Sequence, residues 1–439
     1  MMDEDFTQVL PSELTYKILS FLNAEELASV QKVCVQWREL GNSDFLWHHQ
    51  CILKGWEKYE SNPPILNLEP MYACHYSSTG SSPLFDLKIP ECTRLSPLCK
   101  WKHIFLRVAH LMKNWSKGRY CVAPILRGHT DKVNALDCEE DCLISGSSDR
   151  TVKIWDLRTC QCVTTVEDFF DSVTAVKIFG TSVIIGCGDG TIHIITLTSG
   201  QRERVLPGHH DSVNHLCIQG SVLISSGADA SVCAWSLVSH DLLRHMLVHT
   251  DEIECMSSLD NYVVTGSWDR TMVLWDIISG ACVHHLVGHS EVVSCCQFDT
   301  SKIVSGSADG DVRIWSFLTG LCLHVLSGHK GEVYCVAYNA DCIASGSSDS
   351  TIILWSHEGK VQHILKEHMG IVRCLHIHGE RLVSGGDQRM IVVWDLKAGR
   401  KLSTLHRHPN KLHLMWVGET KLITATPEKS GCMTVLTFW

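Results

Sequence analysis

The chain has 439 residues, 45% of them hydrophobic and 20% charged, with 48 acidic against 38 basic side chains for a formal charge of -10. That hydrophobic share excludes a mostly disordered chain, and the absence of any run of ~18 apolar residues excludes a helical membrane span. The acidic balance argues against nonspecific nucleic-acid binding, which needs a basic surface. Along the chain, the first 25 residues, with Asp3, Glu4 and Asp5, lack the basic start and apolar stretch of a secretory signal. A cytosolic or nuclear protein is therefore expected, and its 22 cysteines read as reduced thiols.

Residues 6–51 carry dense helical amphipathicity. Leu10, Leu14, Ile18 and Leu22 recur every four positions, with Leu19 and Phe21 widening the stripe. Pro11 suits a first helical turn, and Asn23 with Glu26 has capping-box spacing before a second helix bearing Leu27, Val30 and Val33. Ser43 and Asp44 are expected to start a third around Phe45, Leu46 and Trp47. Three short helices leave more apolar surface than so small a body can bury, which points to a partner. The series Leu10-Pro11-x-Glu13-Leu14, Ile18-Leu19-Ser20-Phe21-Leu22, Leu27, Val33-Cys34-x-x-Trp37-Arg38 and Leu46-Trp47 resembles an F-box. The resemblance implies that Leu10, Pro11, Leu14, Ile18, Leu19, Leu22, Leu27, Val33 and Trp37 dock a Skp-type adaptor, and through it cullin and RING subunits. Only nine residues precede Leu10, so the helical dimerisation segment of some relatives is not expected, and a monomer is.

Six prolines between 63 and 97 and the Ser-rich SSTGSSP mark residues 52–99 as a linker. Residues 100–120 come next as a connecting helix, because Trp101, Phe105, Val108, Met112 and Trp115 recur every three or four positions. Lys102, Arg107 and Lys113 fall off that stripe, which is expected to pack on the head or on the domain C-terminal to it.

From 121 to 439 the sequence repeats. His begins a unit at 129, 209, 249, 289, 329, 368 and 408; Asp recurs at 149, 189, 229, 269, 309, 349 and 387; Trp follows at 155, 235, 275, 315, 355 and 394. The period is 40, slipping once to 39, and units such as TGSWDRTMVLWD (265–276) alternate apolar strands with Gly/Ser/Asp turns. The GH pairs at 128–129, 208–209, 288–289 and 328–329 and the closing WD at 155–156, 275–276 and 394–395 resemble the WD-repeat family. That resemblance implies an all-β propeller of four-stranded blades behind the α-helical head. The second unit departs, with Asp168-Phe169 for GH and Ile195 for Trp; the last loses the turn Asp. Eight blades are favoured over seven, because residues 121–126 read as a spare outer strand that completes the last blade.

His129, Ser145 and Asp149 could be written as a catalytic triad. A catalytic group is needed once, however, and this set recurs, so the structural reading is a hydrogen-bond network with Trp155 packed nearby. Cys255, Cys295, Cys335 and Cys374 recur likewise and read as small buried hydrophobes. Cys160-Gln161-Cys162 has no second ligand pair at zinc spacing, so no metal and no cofactor is expected.

In WD propellers the residues before each turn Asp and at the start of each first strand face one end of the ring. The first group is Ser148, Gly188, Ala228, Trp268, Ala308, Ser348 and Gly386. Arg373, Lys411, His413 and Lys132 fall in neighbouring units, while Glu252, Glu254 and Trp268 share unit four. Scattered charge is the ordinary expectation for a solvated face. The sharper reading is a basic sector for an acidic or phosphorylated peptide, with Trp268 and Tyr334 as aromatic anchors. A strict reader of phosphorylated segments would place several Arg here, and this face offers one. The combined resemblance implies a non-catalytic substrate receptor of a cullin-RING (SCF-type) ubiquitin ligase. The alternative is a scaffold that binds the adaptor or several partners without promoting ubiquitination.

Overall fold

A computed structural model describes residues 10–60, 100–387, 390–407, 412, 414–425 and 431–438. It divides into two units: Met1–Trp115 with Phe438–Trp439, and Ser116–Thr437.

In the first unit, Pro11 starts helix α1 (Ser12–Leu19) with its fixed φ of -54°, and its carbonyl accepts the Thr15 N–H. The Asn23 side chain accepts from Glu25 and Glu26 while Glu26 reaches back to Asn23 N, a complete capping box opening α2 (Ala24–Val30). The sequence reading ran α2 on through Val33. Instead α2 stops at Val30 and Cys34 opens a separate helix, α3 (Val35–Gly41), its thiol accepting from Trp37 N at 3.4 Å. A thiol in the role usually taken by Ser or Asp is why that start was not foreseen. Helix α4 (Asp44–Leu53) and a 3-10 turn at Glu57–Tyr59 carry the ordered head past residue 51, with Tyr59 fully buried.

Helix α5 (Lys100–Lys117) supplies the rest of this core. Phe105 meets Trp47 and Trp56 with ring centroids 5.2 and 5.0 Å apart, and Asp44 Oδ1 accepts the Trp101 amide at 2.8 Å. Trp115 stacks on Phe438 at 3.4 Å, and Asn114 Nδ2 donates to the Phe438 carbonyl. The buried stripe is Ile104, Phe105, Val108, Leu111 and Trp115, rotated from the expected one, and Arg107 lies within it. The larger core resolves the shortage of interior that three short helices implied.

The second unit is eight four-stranded antiparallel sheets, and consecutive first strands pack side by side from blade 1 to blade 8 and back to blade 1. Blade 1 is typical: Val133–Glu139, Cys142–Ser147, Val152–Asp156 and Gln161–Val166. Its middle strands are mostly buried and its outer strand mostly exposed, which is why alternation fades in the former. The recurring Gly lies where the next blade presses closest; a Cβ on Gly146 would lie 2.4 Å from a Val173 methyl.

Blade 8 holds Leu414–Val417, Lys421–Ala425 and Met433–Thr437, and its fourth strand is Cys121–Val122. Cys121 pairs with Thr437 and Val122 with Leu436, and Leu126 exchanges backbone hydrogen bonds with Met433. Strand Cys121–Val122, with the bridge at Leu126, thus closes the ring within the 121–126 segment that the sequence suggested. Lys421, 4% exposed, bonds the Glu140 carbonyl and the Asp141 carboxylate of blade 1. Lys421→Ala is expected to lower the unfolding free energy by about 1–2 kcal/mol, since it strips a buried partner from Asp141 while Arg158 still compensates the carboxylate. Urea unfolding followed by tryptophan fluorescence measures this, and an unchanged midpoint would remove Lys421 from the closure.

Candidate functional site

The head divides its apolar residues. Leu19, Leu27 and Val30 are inside, whereas Leu14 (48%), Ile18 (44%), Phe21 (82%), Val33 (62%) and Val35 (67%) stand exposed. Leu10, Leu22 and Trp37 are half-buried and Pro11 is exposed. Leu22, Val30, Val33 and Trp37 line an open cavity of about 540 Å³ with Asn23, Glu25, Glu26 and Ser29.

In the propeller, the recurring polar residues form a relay. Trp155 Nε1 donates to Ser145 Oγ at 2.9 Å; Ser145 Oγ lies 2.7 Å from His129 Nε2; His129 Nδ1 lies 2.9 Å from Asp149. A carboxylate can only accept, so Nδ1 carries the ring proton and Nε2 accepts from the serine hydroxyl. Blades 3 to 6 repeat this, with Thr265 replacing Ser in blade 4. Ser145 has no exposed surface, and its lone pairs and proton are already committed. A buried hydroxyl so placed reaches no substrate, so the set ties each blade's entry loop to its strands.

Blade 2 replaces the relay with packing: Phe169, Ile185 and Ile195 occupy the His, Ser and Trp positions, all buried. Asp189 keeps Thr191 Oγ1 at 2.6 Å, and His193 meets the Phe169 ring edge-on at 5.1 Å. Blade 7 corrects the sequence reading. His-to-Asp spacing is 20 elsewhere, and 20 residues after His368 stands Gln388, not Asp387. Asp387 N bonds the Ile371 carbonyl as Ser148 N bonds Lys132 and Trp268 N bonds Glu252, so Asp387, and not Gly386, holds the slot before the turn. The 39-residue slip hid this by one position. His368 keeps Ser384 at 2.8 Å, but its Nδ1 has no partner among the described residues.

Those backbone bonds bring two loops of each blade to one end of the ring, and the geometry there has a specific cause. In blades 1 to 7 the first strand carries a β-bulge, at Asn134, Thr174, Asn214, Glu254, Ser294, Tyr334 and Arg373. A bulge re-aims one side chain out of the strand's alternation. Asn134, Thr174 and Ser294 use it to donate across the seam to the carbonyls of Val173, Val213 and Val333. Arg373 instead grips Asp387, with Nε 2.7 Å from Oδ1, and lies over the Tyr334 ring at 5.3 Å; the Tyr334 hydroxyl donates to Glu332 at 2.7 Å. Asp387 is the first cause of the raised Arg373 pKa. Trp268 Nε1 donates to Glu254 at 2.8 Å. Lys132 is exposed with no ion-pair partner among the described residues. Lys411 and His413, the other two groups of the expected basic sector, lie outside the described residues.

Residues 7–53 match the F-box-like family, and 120–156, 200–236, 241–276, 280–316, 320–356 and 359–395 match the WD domain, G-beta repeat. The chain is an F-box/WD-repeat protein. The matched repeats pass over blade 2, whose relay is gone, and blade 8, whose fourth strand comes from residue 121. The chain is 34% identical over 167 residues to an F-box protein of Saccharomyces cerevisiae, covering 36% of this chain and 24% of that protein. It is 32% identical over 162 residues to a probable E3 ubiquitin ligase complex SCF subunit sconB of Arthroderma benhamiae (35% and 24%). It is 28% identical over 200 residues to the F-box/WD repeat-containing protein pof1 of Schizosaccharomyces pombe (36% and 33%). These alignments span only about a quarter to a third of the relatives' lengths. The solved structure of the computationally designed Ika8 protein superposes with a TM-score of 0.66 at 28% identity, over 71% of this chain and 98% of that one. Residues 152–163 also match a CXCXC repeat. There Cys160 Sγ bonds the Leu157 carbonyl and Cys162 Sγ the Thr164 carbonyl, and among the described residues no three His, Cys, Asp or Glu are placed to hold a metal.

The relays of this F-box/WD-repeat protein make it acid-sensitive. Burial holds His129, His249 and His329 below the ordinary histidine pKa, only partly offset by their aspartates; His368 falls to about 4. Burial pushes Asp149, Asp269 and Asp349 up, but hydrogen bonds led by Thr151, Thr271 and Thr351 outweigh it, leaving them low. The unfolded chain therefore binds more protons in acid. The histidine share of stability is complete above about pH 6.5 and is lost as pH falls toward 4, about 3 kcal/mol from His368 alone; the aspartate share goes only below that. The urea midpoint should decline steadily as pH falls below 6.5, whereas a level midpoint from 6.5 down to 4.5 would contradict neutral buried histidines.

Proposed function

We propose that this chain is the substrate-recognition subunit of an SCF-type ubiquitin ligase, its head docking a Skp-type adaptor and its propeller capturing target proteins. The observation that carries the proposal is the exposed apolar set Leu14, Ile18, Phe21, Val33 and Val35 on a head whose own core is already filled by Leu19, Leu27, Trp47 and Phe105. Water-exposed side chains of this size on so small a body favour a partner that covers them. The names of the relatives, an F-box protein and an SCF subunit, support the choice of partner. Fold alone would not, since propellers serve many functions.

Such a subunit needs no nucleophile. The recurring Ser, His and Asp are spent on the relay, and the chain's contribution is to raise the target's effective concentration near a conjugating enzyme carried by other subunits. Every described cysteine is a free thiol, which fits action in the cytosol or nucleus.

In a pull-down of the full chain, Leu14→Ala combined with Trp37→Ala should cut adaptor capture by about tenfold or more, because interface energy concentrates in a few apolar anchors. Cullin recovery and ubiquitin-chain formation on co-purifying proteins should fall in parallel. An adaptor retained by intact protein that supports no ubiquitination would favour the scaffold, and no adaptor capture at all would overturn the proposal.

A further inference from the structure

The loop end of the propeller does not carry its charges evenly. Among the described slots there, the ionisable groups are Lys132, Glu252, Glu254, Glu332, Arg373 and Asp387. Arg373 and Asp387 neutralise each other, and Glu332 is held by the Tyr334 hydroxyl. What is left without an opposite charge is Lys132 in blade 1, Glu332 in blade 6, whose Tyr334 partner is neutral, and the two glutamates of blade 4, the one place where two like charges share a blade.

Blade 4 also departs from its neighbours in three ways that packing does not require. The slot before the turn is Ser148, Gly188, Ala228, Ala308, Ser348 or Asp387 elsewhere, and here it is Trp268, 49% exposed. Its indole N–H is pinned on Glu254 Oε2, which fixes the ring at the surface. The bulge residue, Ser or Thr in blades 5 and 2, is a carboxylate that cannot donate across the seam; the Cys255 thiol, one residue on, reaches the Val293 carbonyl at 3.7 Å in its stead. Glu254 is thereby released from the inter-blade bond that Thr174 and Ser294 make. On the other side, blade 3 braces this group: Asn214 Nδ2 donates to Glu252 Oε1 at 2.7 Å, and His215 Nε2, where blades 1 and 2 have Ala135 and Ala175, lies 2.8 Å from the Glu254 carbonyl.

We propose that Glu252, Glu254 and Trp268 form the reading site for a cationic side chain of the captured protein, arginine before lysine. The inference rests on the substrate-receptor reading above and names the chemistry its face selects. A guanidinium is planar, so it can lie on an indole while its N–H groups meet carboxylates, which an ammonium does less well. Two like charges two residues apart, one partly buried, gain most from an incoming cation; burial first, then Glu252, holds the Glu254 pKa up. Arg270, two residues beyond Trp268, makes no ion pair among the described residues and does not occupy the site from within. Asn214 and His215 act as positioning residues.

The test uses the full chain with its adaptor, labelled with 5-fluorotryptophan, the Trp268 fluorine resonance being assigned by Trp268→Phe. The probes are blocked glycine pentapeptides with a central arginine, lysine, citrulline or aspartate. The arginine peptide should shift the Trp268 resonance saturably and lysine less, while citrulline, its uncharged isostere, and aspartate should not. Glu254→Gln and Glu252→Gln should each weaken the arginine effect by about tenfold, and Glu358→Gln, an exposed acid on the blade 6 turn, should leave it unchanged. Equal shifts from citrulline, a larger shift from aspartate, or indifference to both Gln variants would overturn the site. Adaptor capture measured on the same sample keeps the two readings apart: capture without peptide binding sinks this site alone, and peptide binding without capture sinks the ligase role alone.

Discussion

The propeller depends on one closure. Each four-stranded blade is apolar on both faces and can bury them only between two neighbours, so an open array would leave two blades half bare. Sequence order supplies three strands to blade 8, and the fourth comes from the other end of the repeat, Cys121 against Thr437. The Lys421 contact to Asp141 adds a charged bond at the blade 8–blade 1 seam, where neighbours in space are farthest apart in sequence. Such contacts cost the most chain entropy to form, which is reason for the strongest bonds to sit there.

Within that ring, labour is divided by depth. The Trp–Ser–His–Asp relay lies below the surface, fully committed, and burial disfavours the charged form of His129 and His249. Above it, the bulges turn one side chain per blade toward the loop end. Where that side chain is Asn134, Thr174 or Ser294 it stitches the seam; where it is Tyr334 or Arg373 it bonds Glu332 or Asp387 at the loop end; and where it is Glu254 it makes no seam bond and takes the Trp268 N–H instead. Blade 2 shows that the His–Ser–Trp part of the relay is dispensable once buried apolar groups, Phe169, Ile185 and Ile195, replace those three together, while Asp189 keeps its bond to Thr191. Removing single members would instead strand a buried polar group.

Much of this was legible in the residues. The 40-residue period, the GH and WD pairs and the spare strand at 121 lead directly to eight blades, because each unit repeats one packing problem and shows its solution. The capping box at Asn23 was equally plain, since it is local. What was hidden depended on geometry with no local mark. Cys34 opens a helix with a thiol, and Arg107 is buried on a helix whose stripe is turned from its apparent direction. Asp387 was misread because a one-residue slip moves an aspartate from the turn to the face. Periodicity named Arg373 as free surface charge; only the fold shows that Asp387 and Tyr334 already hold it.

That last point bears on how a repeated scaffold acquires specificity. The relay fixes the loops from beneath, so the slot before each turn tolerates Ser, Gly, Ala, Trp or Asp with the same backbone bond to the previous strand. Substitution there changes the face while leaving the blade's hydrogen bonds intact. A charge at this end of a blade has two fates. It can be consumed by the adjacent bulge residue, as Asp387 is by Arg373, stiffening a seam and adding nothing to the field outside. Or the bulge residue can share its sign or chemistry, as Glu254 does beside Trp268 and Glu252, and then the field survives to act on a partner. Which fate applies is set by pairs 14 residues apart, 254 with 268 and 373 with 387, so the recognition surface is written in that spacing and not in the total charge.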